Sequence, residues 1–321
     1  MNRVAILGGM GFVGTNLSRK FDLEGIFYKV FDKNIKKEAD KFSFIDIEDQ
    51  KSLMKLEGFD TIINLAAIHR DDVKPKSKYF DVNVRGSRNI CDAAEILNIK
   101  NILFLSSAAV YGFSKNAVRE NSEINYFNEY GKTKFLAENI YRRWYEQSKK
   151  NKKLIIIRPT VIFGEGNKGN VYNLINQIFK KRFIIIGNGE NKKSLAYVDN
   201  VSAFIVYCLK NNKGYDIYNY ADKPDMTMNQ LVLYIKKSLL LKEKISFRVP
   251  YFLGIFMGFI FDIFSFITKT NFPISSVRIK KFVNPSVFEK KETKDFIPPF
   301  TIHEGLSRTI SRDFLKNHSN K

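Results

Sequence analysis

The sequence predicts an α/β protein built on a doubly wound parallel sheet. The first observation is an apolar run, residues 3–7, that ends at glycines as a buried parallel strand does. The second is that strand and helix patterns alternate from there to residue 159, which favours right-handed crossovers between parallel strands. The third is that the later chain is less regular, which indicates a second, smaller α/β unit.

Each element follows from a short pattern of apolar residues. Six apolar runs predict the strands of the sheet: residues 3–7, 27–31, 42–45, 61–65, 101–105 and 154–157. Helical patterns connect them at residues 11–24, 52–56, 79–98 and 128–149. In the later chain we expect helices at 171–181 and 198–209 and a strand at 216–220. The second unit should form a cleft over the carboxyl ends of the strands.

The composition is ordinary for a soluble globular protein with a large core. Of the 321 residues, 44% are hydrophobic and 27% are charged. Met1 to Arg3 lead into an apolar run that is too short for a secretory signal, so we expect a cytoplasmic protein. Cys91 and Cys208 lie in predicted helices without metal-ligand spacing, and we expect buried thiols and no metal site.

The net charge of +20 is the unusual global property. A lysine-rich solvated surface, an anionic membrane or a phosphorylated substrate would each account for it. The lysines are scattered, and no aromatic-interleaved motif for nucleic acid accompanies them. We therefore expect no nucleic-acid partner, while membrane attraction stays open.

Three glycines after the first strand predict a phosphate cradle. Gly8, Gly11 and Gly14 lie between that strand and a helix whose first residues include Phe12 and Val13. Residues without a Cβ let the backbone approach a pyrophosphate at the positive end of a helix. A glycine triplet alone is weak evidence, but a strand before it and a helix after it strengthen the prediction.

An acidic residue at the end of the second strand favours NAD as the ligand of this cradle. Asp32 would accept hydrogen bonds from an adenosine ribose and would repel a 2′-phosphate. Lys33, Lys36 and Lys37 follow it and would tolerate a phosphate, so NADP stays open as the alternative. The sequence thus predicts a dinucleotide-binding (Rossmann) domain.

A second pattern predicts a proton-transfer site. Tyr130 and Lys134 are four residues apart on a predicted helix and therefore share a face. A lysine ammonium beside a phenol favours the phenolate and lowers its pKa from roughly 10 towards neutrality, so that the tyrosine can exchange protons. Ser107 stands at the end of the fifth strand, within reach of the same substrate oxygen.

With these motifs, the chain resembles the extended short-chain dehydrogenase/reductases of the NAD-dependent sugar-nucleotide epimerase/dehydratase family. The motifs that carry the resemblance stand at residues 8–14, 46–47, 64–67, 83–86, 106–112, 130–134, 158–160 and 197–199. They are specific for the family and poorly specific for the substrate. The resemblance also implies a homodimer through the helices 79–98 and 128–149.

The resemblance implies a role for each motif. Tyr130 would be the catalytic acid/base, Ser107 its hydrogen-bonding helper, and Lys134 a ligand of the nicotinamide ribose. The residues implied to contact or brace the cofactor are Gly8, Gly11, Phe12, Val13, Gly14, Asp32, Asp46, Ile47, Ala66, Ala67, Asn83, Tyr130, Lys134 and Pro159. Those implied to contact a nucleotide-diphosphate sugar are Ser107, Tyr130, Asn173 and Lys193. Residues 1–163 and 194–212 would form the NAD(P)-binding Rossmann domain, and 164–193 and 213–321 the substrate-binding domain.

Departures from the family pattern narrow the reaction. Sugar 4,6-dehydratases of the family carry an Asp-Glu pair after the catalytic hydroxyl residue, where this chain has Ala108 and Ala109. Dehydration and decarboxylation are therefore not expected, which leaves C4 epimerisation or reduction of a keto sugar. Two alternatives stay open: a membrane-associated dehydrogenase of a sterol-like or lipid alcohol, and a non-catalytic NAD-sensing scaffold. The presence of Ser107, Tyr130 and Lys134 argues against the scaffold.

Residues 251–267 form an almost wholly apolar segment with Asp262 as its single charge. The segment is shorter than the roughly 20 residues that a membrane-spanning helix needs. We favour a hydrophobic helix pair inside the substrate-binding domain. The alternative is a segment that lies on the inner membrane face, with the basic surface supporting this peripheral contact.

Overall fold

The computed structural model describes residues 3–70, 73–114, 116–212, 214–245, 247–268, 270, 276–289, 291, 293 and 295–316. In chain order the strands are β1 (Val4–Leu7), β2 (Tyr28–Phe31), β3 (Phe42–Ser43), β4 (Thr61–Asn64), β5 (Asn101–Leu105), β6 (Lys153–Pro159), β7 (Val161–Phe163), β8 (Ile185–Ile186), β9 (Lys192–Tyr197), β10 (Tyr215–Tyr220), β11 (Asp222–Thr227) and β12 (Arg248–Val249).

The α-helices are α1 (Phe12–Glu24), α2 (Ser77–Phe80), α3 (Gly86–Ile96), α4 (Glu129–Glu146), α5 (Asn170–Phe179), α6 (Val198–Asn211), α7 (Met228–Ser238), α8 (Tyr251–Thr268), α9 (Ser276–Val283) and α10 (Ile302–Ile310). Short 3₁₀ turns lie at Ser52–Leu56 and Ala108–Tyr111, and wider π-helical turns at Asp81–Arg85 and Ser311–Lys316. Within the described ranges, no helix combines the length and apolar character needed to cross a membrane.

Seven strands form the central sheet in the order β3-β2-β1-β4-β5-β6-β10, and all neighbours run parallel. The strand order reverses direction between β1 and β4, so a crevice opens there at the carboxyl ends of the strands. One face of the sheet buries α1 and α6, and the other buries α3 and α4. This is the doubly wound parallel sheet that the sequence predicts.

The predicted elements of this sheet are present with small differences at their ends. The third strand spans only Phe42–Ser43, and the long helix predicted at 79–98 runs as α2, a π-helical turn and α3. One placement is wrong, because the prediction assigns the strand at 216–220 to the substrate-binding unit. It is β10, the edge strand beside β6 in the central sheet. The domain boundaries themselves stay a prediction.

A smaller unit lies beside the central sheet. Its strands form a three-stranded sheet in the order β11-β9-β7 and a two-stranded sheet of β8 and β12. Helices α5, α7 and α10 bury their apolar residues together with β7 and β9 in a separate core cluster. Because β7 follows β6 after only one residue, this unit begins at the carboxyl edge of the central sheet.

Candidate active site

The glycine turn after β1 is shaped by close backbone contacts. Gly8 has a φ of +73°, and a Cβ there would lie 2.6 Å from the backbone nitrogen of Ala66. A Cβ on Gly14 would lie 2.4 Å from the carbonyl oxygen of Gly9. Helix α1 then begins after Gly11, which has no side chain to cap its first N–H groups. Those amides and the open backbone fit a pyrophosphate.

Asp32 holds this turn in place from the end of β2. Its Oδ2 accepts a hydrogen bond from the backbone N–H of Met10 at 3.2 Å. Its Oδ1 accepts from the backbone N–H and the side-chain amide of Asn34, at 2.9 and 2.8 Å. The sequence predicts a ribose-binding carboxylate here, and the structure adds that the carboxylate also anchors the glycine turn.

The residues predicted to lie along the adenine side are held by α3. The Ile47 carbonyl accepts a hydrogen bond from the Asn89 side chain at 3.0 Å, and Ile47 packs where Gly86 leaves room for it. Asp46 is half-buried and accepts from the backbone N–H of Glu48 at 3.0 Å.

The next two predicted cofactor contacts follow β4, beside the glycine turn. Ala66 and Ala67 are half-buried in the segment after that strand. The Asn64 side chain accepts from the Ala66 N–H at 3.0 Å and fixes the start of the segment. Since Ala66 also packs against Gly8, the turns that follow β1 and β4 lie side by side.

Asn83 connects that segment to the helix carrying the tyrosine and lysine. Its Oδ1 accepts from the Ile68 N–H at 2.8 Å, and its Nδ2 donates to the Ile68 carbonyl at 3.0 Å. The same Nδ2 donates to the Thr133 hydroxyl on α4 at 3.0 Å. Asn83 therefore spans the gap between the end of β4 and α4.

The turn that begins at Ser107 packs closely on the helix that carries Tyr130, because Gly131 on that helix has no side chain. The Ser107 hydroxyl accepts from the Ala109 N–H at 3.1 Å and starts a tight turn at the end of β5. A Cβ on Gly131 would lie 2.4 Å from the Ala109 carbonyl oxygen, so this turn lies directly against the first turn of α4. Tyr130 precedes Gly131, so the turn that begins at Ser107 packs next to the backbone position of the predicted catalytic tyrosine.

Lys134 is buried on α4, four residues after Tyr130. Its Nζ donates to the Leu105 carbonyl at 2.7 Å and lies 4.4 Å from the centre of the Phe104 ring. Burial lowers the pKa of Lys134 to about 7, against the opposing charge of Glu138. The amine therefore lies at the carboxyl end of β5, the end at which Ser107 stands.

A buried carboxylate that the sequence reasoning missed orients this helix. Glu138 accepts from Ser106 at 2.6 Å and from two guanidinium nitrogens of Arg158, at 2.8 and 2.6 Å. Arg142 adds a bond of 2.9 Å. A usable signal was present, because Glu138 follows Lys134 by four residues on the same helical face. Arg158 precedes Pro159, the predicted cofactor contact at the end of β6.

The other two residues predicted to contact the substrate, Asn173 and Lys193, lie on the smaller unit. The Lys193 Nζ donates to the Asn284 carbonyl at 2.6 Å, and burial lowers the pKa of Lys193 to about 8. Val161 of β7 pairs with Leu195 of β9 in parallel register. Pro159 and Lys193 each lie two residues before this pair in their own segments. Asn173 lies exposed on α5.

Replacing Lys134 by methionine should stabilise the protein at neutral pH. The lysine pKa is about 7 in the folded chain and roughly 10 in the unfolded chain. Between these values the unfolded chain binds more protons, so wild-type stability rises with pH. Lys134→Met should gain about 4 kcal/mol at pH 7 and lose most of this advantage by about pH 10.

Urea unfolding across that pH range measures the difference. Lys132→Met, at an exposed position on the same helix, serves as the control and should show no such trend. If the free energies of unfolding of wild type and Lys134→Met changed in parallel with pH, a lowered pKa of the buried Lys134 amine would be contradicted.

Comparison with known proteins identifies the family. The model of the NAD dependent epimerase/dehydratase family matches residues 4–221. The N-acetyl-alpha-D-glucosaminyl-diphospho-ditrans,octacis-undecaprenol 4-epimerase of Escherichia coli O157:H7 is 46% identical over 324 residues, covering 98% of this chain and 96% of that protein.

Two solved structures share the fold. The UDP-glucose 4-epimerase of Thermotoga maritima, solved with UDP-glucose, superposes with a TM-score of 0.76 at 18% identity, covering 99% of this chain and 100% of that one. The UDP-glucose 4-epimerase of Thermus thermophilus in complex with NAD gives 0.70 at 16%, covering 97% and 98%.

The family match agrees with the crevice described above, in which the glycine turn, Asp32 and the end of β4 fit a dinucleotide. The prediction of NAD is confirmed. The alternatives of a lipid-alcohol dehydrogenase and of an NAD-sensing scaffold find no support among these relatives. The chain belongs to the NAD dependent epimerase/dehydratase family and is an enzyme that uses NAD.

Proposed function

We propose that this enzyme inverts the C4 configuration of an N-acetylhexosamine that is linked through a diphosphate to a polyprenol. The observation that carries the proposal is that two features converge on the end of β5: the turn begun by Ser107 lies against the first turn of α4, next to Tyr130, and the Lys134 amine donates to the Leu105 carbonyl. The choice of substrate rests on the identity of 46% with the E. coli 4-epimerase over nearly the full length of both chains.

Proton transfer is assigned to Tyr130. As a phenolate it removes the proton from the C4 hydroxyl, and it returns the proton when the alcohol forms again. The Lys134 ammonium, one helical turn away, favours the phenolate, while the Ser107 hydroxyl donates to the same sugar oxygen. Buried surroundings strengthen each of these electrostatic effects.

Gly8, Gly11, Gly14 and Asp32 are the residues that would hold NAD, whose nicotinamide supplies reversible hydride acceptance at C4. Ala108 and Ala109 offer no second acid or base near Ser107. These two positions therefore supply no group for the elimination of water, whereas the single proton that Tyr130 exchanges with the C4 oxygen is what epimerisation requires.

Tyr130→Phe should lower the turnover number by about 10³-fold, because it removes the only group assigned to carry the proton. The assay follows conversion of N-acetylglucosamine to N-acetylgalactosamine on polyprenyl diphosphate in detergent, with UDP-N-acetylglucosamine as the parallel substrate. Tyr145→Phe, on the same helix but away from the crevice, is the control. Near wild-type turnover by Tyr130→Phe would overturn the mechanism, and conversion of the UDP sugar alone would overturn the lipid-linked substrate.

Lys193 is assigned to the substrate diphosphate, with Asn173 as a second contact. Lys193→Met should raise KM about 10-fold or more with little change in the turnover number, since a charged hydrogen bond is lost. Because burial lowers the pKa of Lys193 to about 8, wild-type KM should rise above that pH as the amine loses its charge. Lys193→Arg should hold KM constant there. An unchanged KM in Lys193→Met would remove the residue from the site.

A homodimer through α3 and α4 is the expected assembly. These helices present an open groove to solvent, lined by Arg88, Asp92, Ile140 and Arg143. Sedimentation velocity should give twice the chain mass of 37.3 kDa. Ile96→Asp, on the outer face of α3, should shift the enzyme towards monomer, whereas Leu23→Asp on α1 should not. A monomeric wild-type enzyme would refute this assembly.

Peripheral contact with the inner membrane face belongs to the same proposal. A polyprenyl chain keeps its diphosphate sugar at the surface of a bilayer, so the enzyme has to reach the substrate there. Helix α8 covers the apolar segment 251–267 and is the element available for this contact.

A further inference from the structure

Helix α8 turns its small and polar residues towards the protein. A Cβ on Gly254 would lie 2.6 Å from the Ile186 side chain, and one on Gly258 would lie 2.8 Å from the Ser276 backbone. Asp262 accepts a hydrogen bond from the Ser276 N–H at 3.1 Å at the start of α9. The inward stripe of the helix is thus two glycines and the single charged residue, spaced four apart.

The large apolar side chains of α8 point the other way. The helix does pair with α9, but these side chains are not buried as the sequence-based preference for a helix pair inside the domain implies. Ten of them are between 37% and 68% exposed. This apolar face consists of Tyr251, Phe252, Leu253, Phe256, Met257, Phe259, Ile260, Ile263, Phe264 and Ile267. A helix that faces water has the opposite arrangement, and a patch of this size marks an interaction surface.

Basic residues outnumber acidic ones in the segments that lead into α8 and pack against it. Lys242, Lys244 and Arg248 are exposed in the segment that leads into α8, and Lys280 is exposed on α9. Residues 180–182, two lysines and an arginine, are exposed just before β8, which contacts Gly254 through Ile186. An apolar face with a cationic rim is the pattern of helices that lie in the headgroup region of anionic membranes.

We propose that this apolar face docks on an anionic lipid bilayer, with α8 lying in the plane of the interface. A second copy of the chain is a poorer occupant, because a two-fold contact would bring each cationic rim against its own equivalent. Asp262 is turned inwards, so insertion of the apolar face buries no charge of α8 in lipid.

The docking face is tied to the proposed substrate site, and this step rests on the proposed function. Helix α9 packs under α8 and ends at Val283, and the carbonyl of the next residue, Asn284, accepts from Lys193. Ser286 then bridges to β9 through its N–H and carbonyl. The lysine assigned to the diphosphate therefore contacts the residue that follows α9, the helix on which α8 packs.

Vesicle flotation at low salt tests the docking directly. Wild-type enzyme should bind vesicles of phosphatidylcholine mixed with phosphatidylglycerol and bind pure phosphatidylcholine weakly. The triple variant Phe252→Ser, Phe256→Ser and Ile263→Ser should bind the mixed vesicles at least about 10-fold less, since it removes large side chains from the lipid contact. The matched control is Leu23→Ser with Ile297→Ser, at positions 84% and 85% exposed elsewhere on the protein.

Three results would overturn the docking. They are no binding of wild type to either kind of vesicle, binding of the triple variant equal to that of wild type, or a loss of binding in the control variant as large as in the triple variant. A change from dimer to monomer in the triple variant, with no vesicle binding by wild type, would assign the face to self-association instead.

Activity measurements separate this inference from the proposed function. With detergent-dissolved substrate the triple variant should match wild type, whereas with vesicle-embedded substrate it should lose at least about 10-fold in rate. Vesicle binding without epimerisation would keep the docking and refute the function. Epimerisation without vesicle binding would refute the docking and keep the proposed function.

Discussion

The buried ion pair between Glu138 and Arg158 determines how α4 lies on the sheet, and both candidate catalytic side chains on that helix depend on it. Glu138 is 0% exposed and Arg158 is 1% exposed, so desolvation of the pair is costly. The additional bonds from Ser106 and Arg142 satisfy the carboxylate and offset that cost. Because a helix turns as one body, fixing it at Glu138 also fixes the two residues one and two turns earlier.

The same cluster explains why a lysine can be buried in this position. Lys134 lies one turn from Glu138, whose negative charge opposes the loss of the proton that burial favours. Its remaining contacts are a carbonyl and an aromatic ring, which partly replace water. A buried amine with a lowered pKa costs stability, and such groups are concentrated where proton transfer needs them. The lowered pKa of Lys134 and its hydrogen bond to the Leu105 carbonyl thus both indicate the carboxyl end of β5 as the candidate site of proton transfer.

Local patterns account for what the sequence could predict. The glycine turn, the acid after β2 and the spacing of Tyr130 and Lys134 each depend on a few neighbouring residues. Glu138 was missed because its partner Arg158 lies 20 residues away, and β10 was misplaced because strand pairing is not local. The orientation of α8 needed more than its apolar composition. The small residues at 254 and 258, four apart, were the available sign of which side packs.

A substrate with a diphosphate sugar at one end and a polyprenyl chain at the other needs two environments at once. Under the proposed function the sugar has to enter a crevice that excludes water, because the roles proposed for Tyr130 and Lys134 are electrostatic and water would weaken them. The chain has to stay in lipid, because removing it would expose many methylene groups at about 0.8 kcal/mol each. In the proposed docking, the apolar face is connected to β9 through Asn284 and would set the height of the proposed Lys193 site above the bilayer. The outward-facing α8 and the net charge of +20 would then serve the same end, contact with the bilayer that holds the proposed substrate.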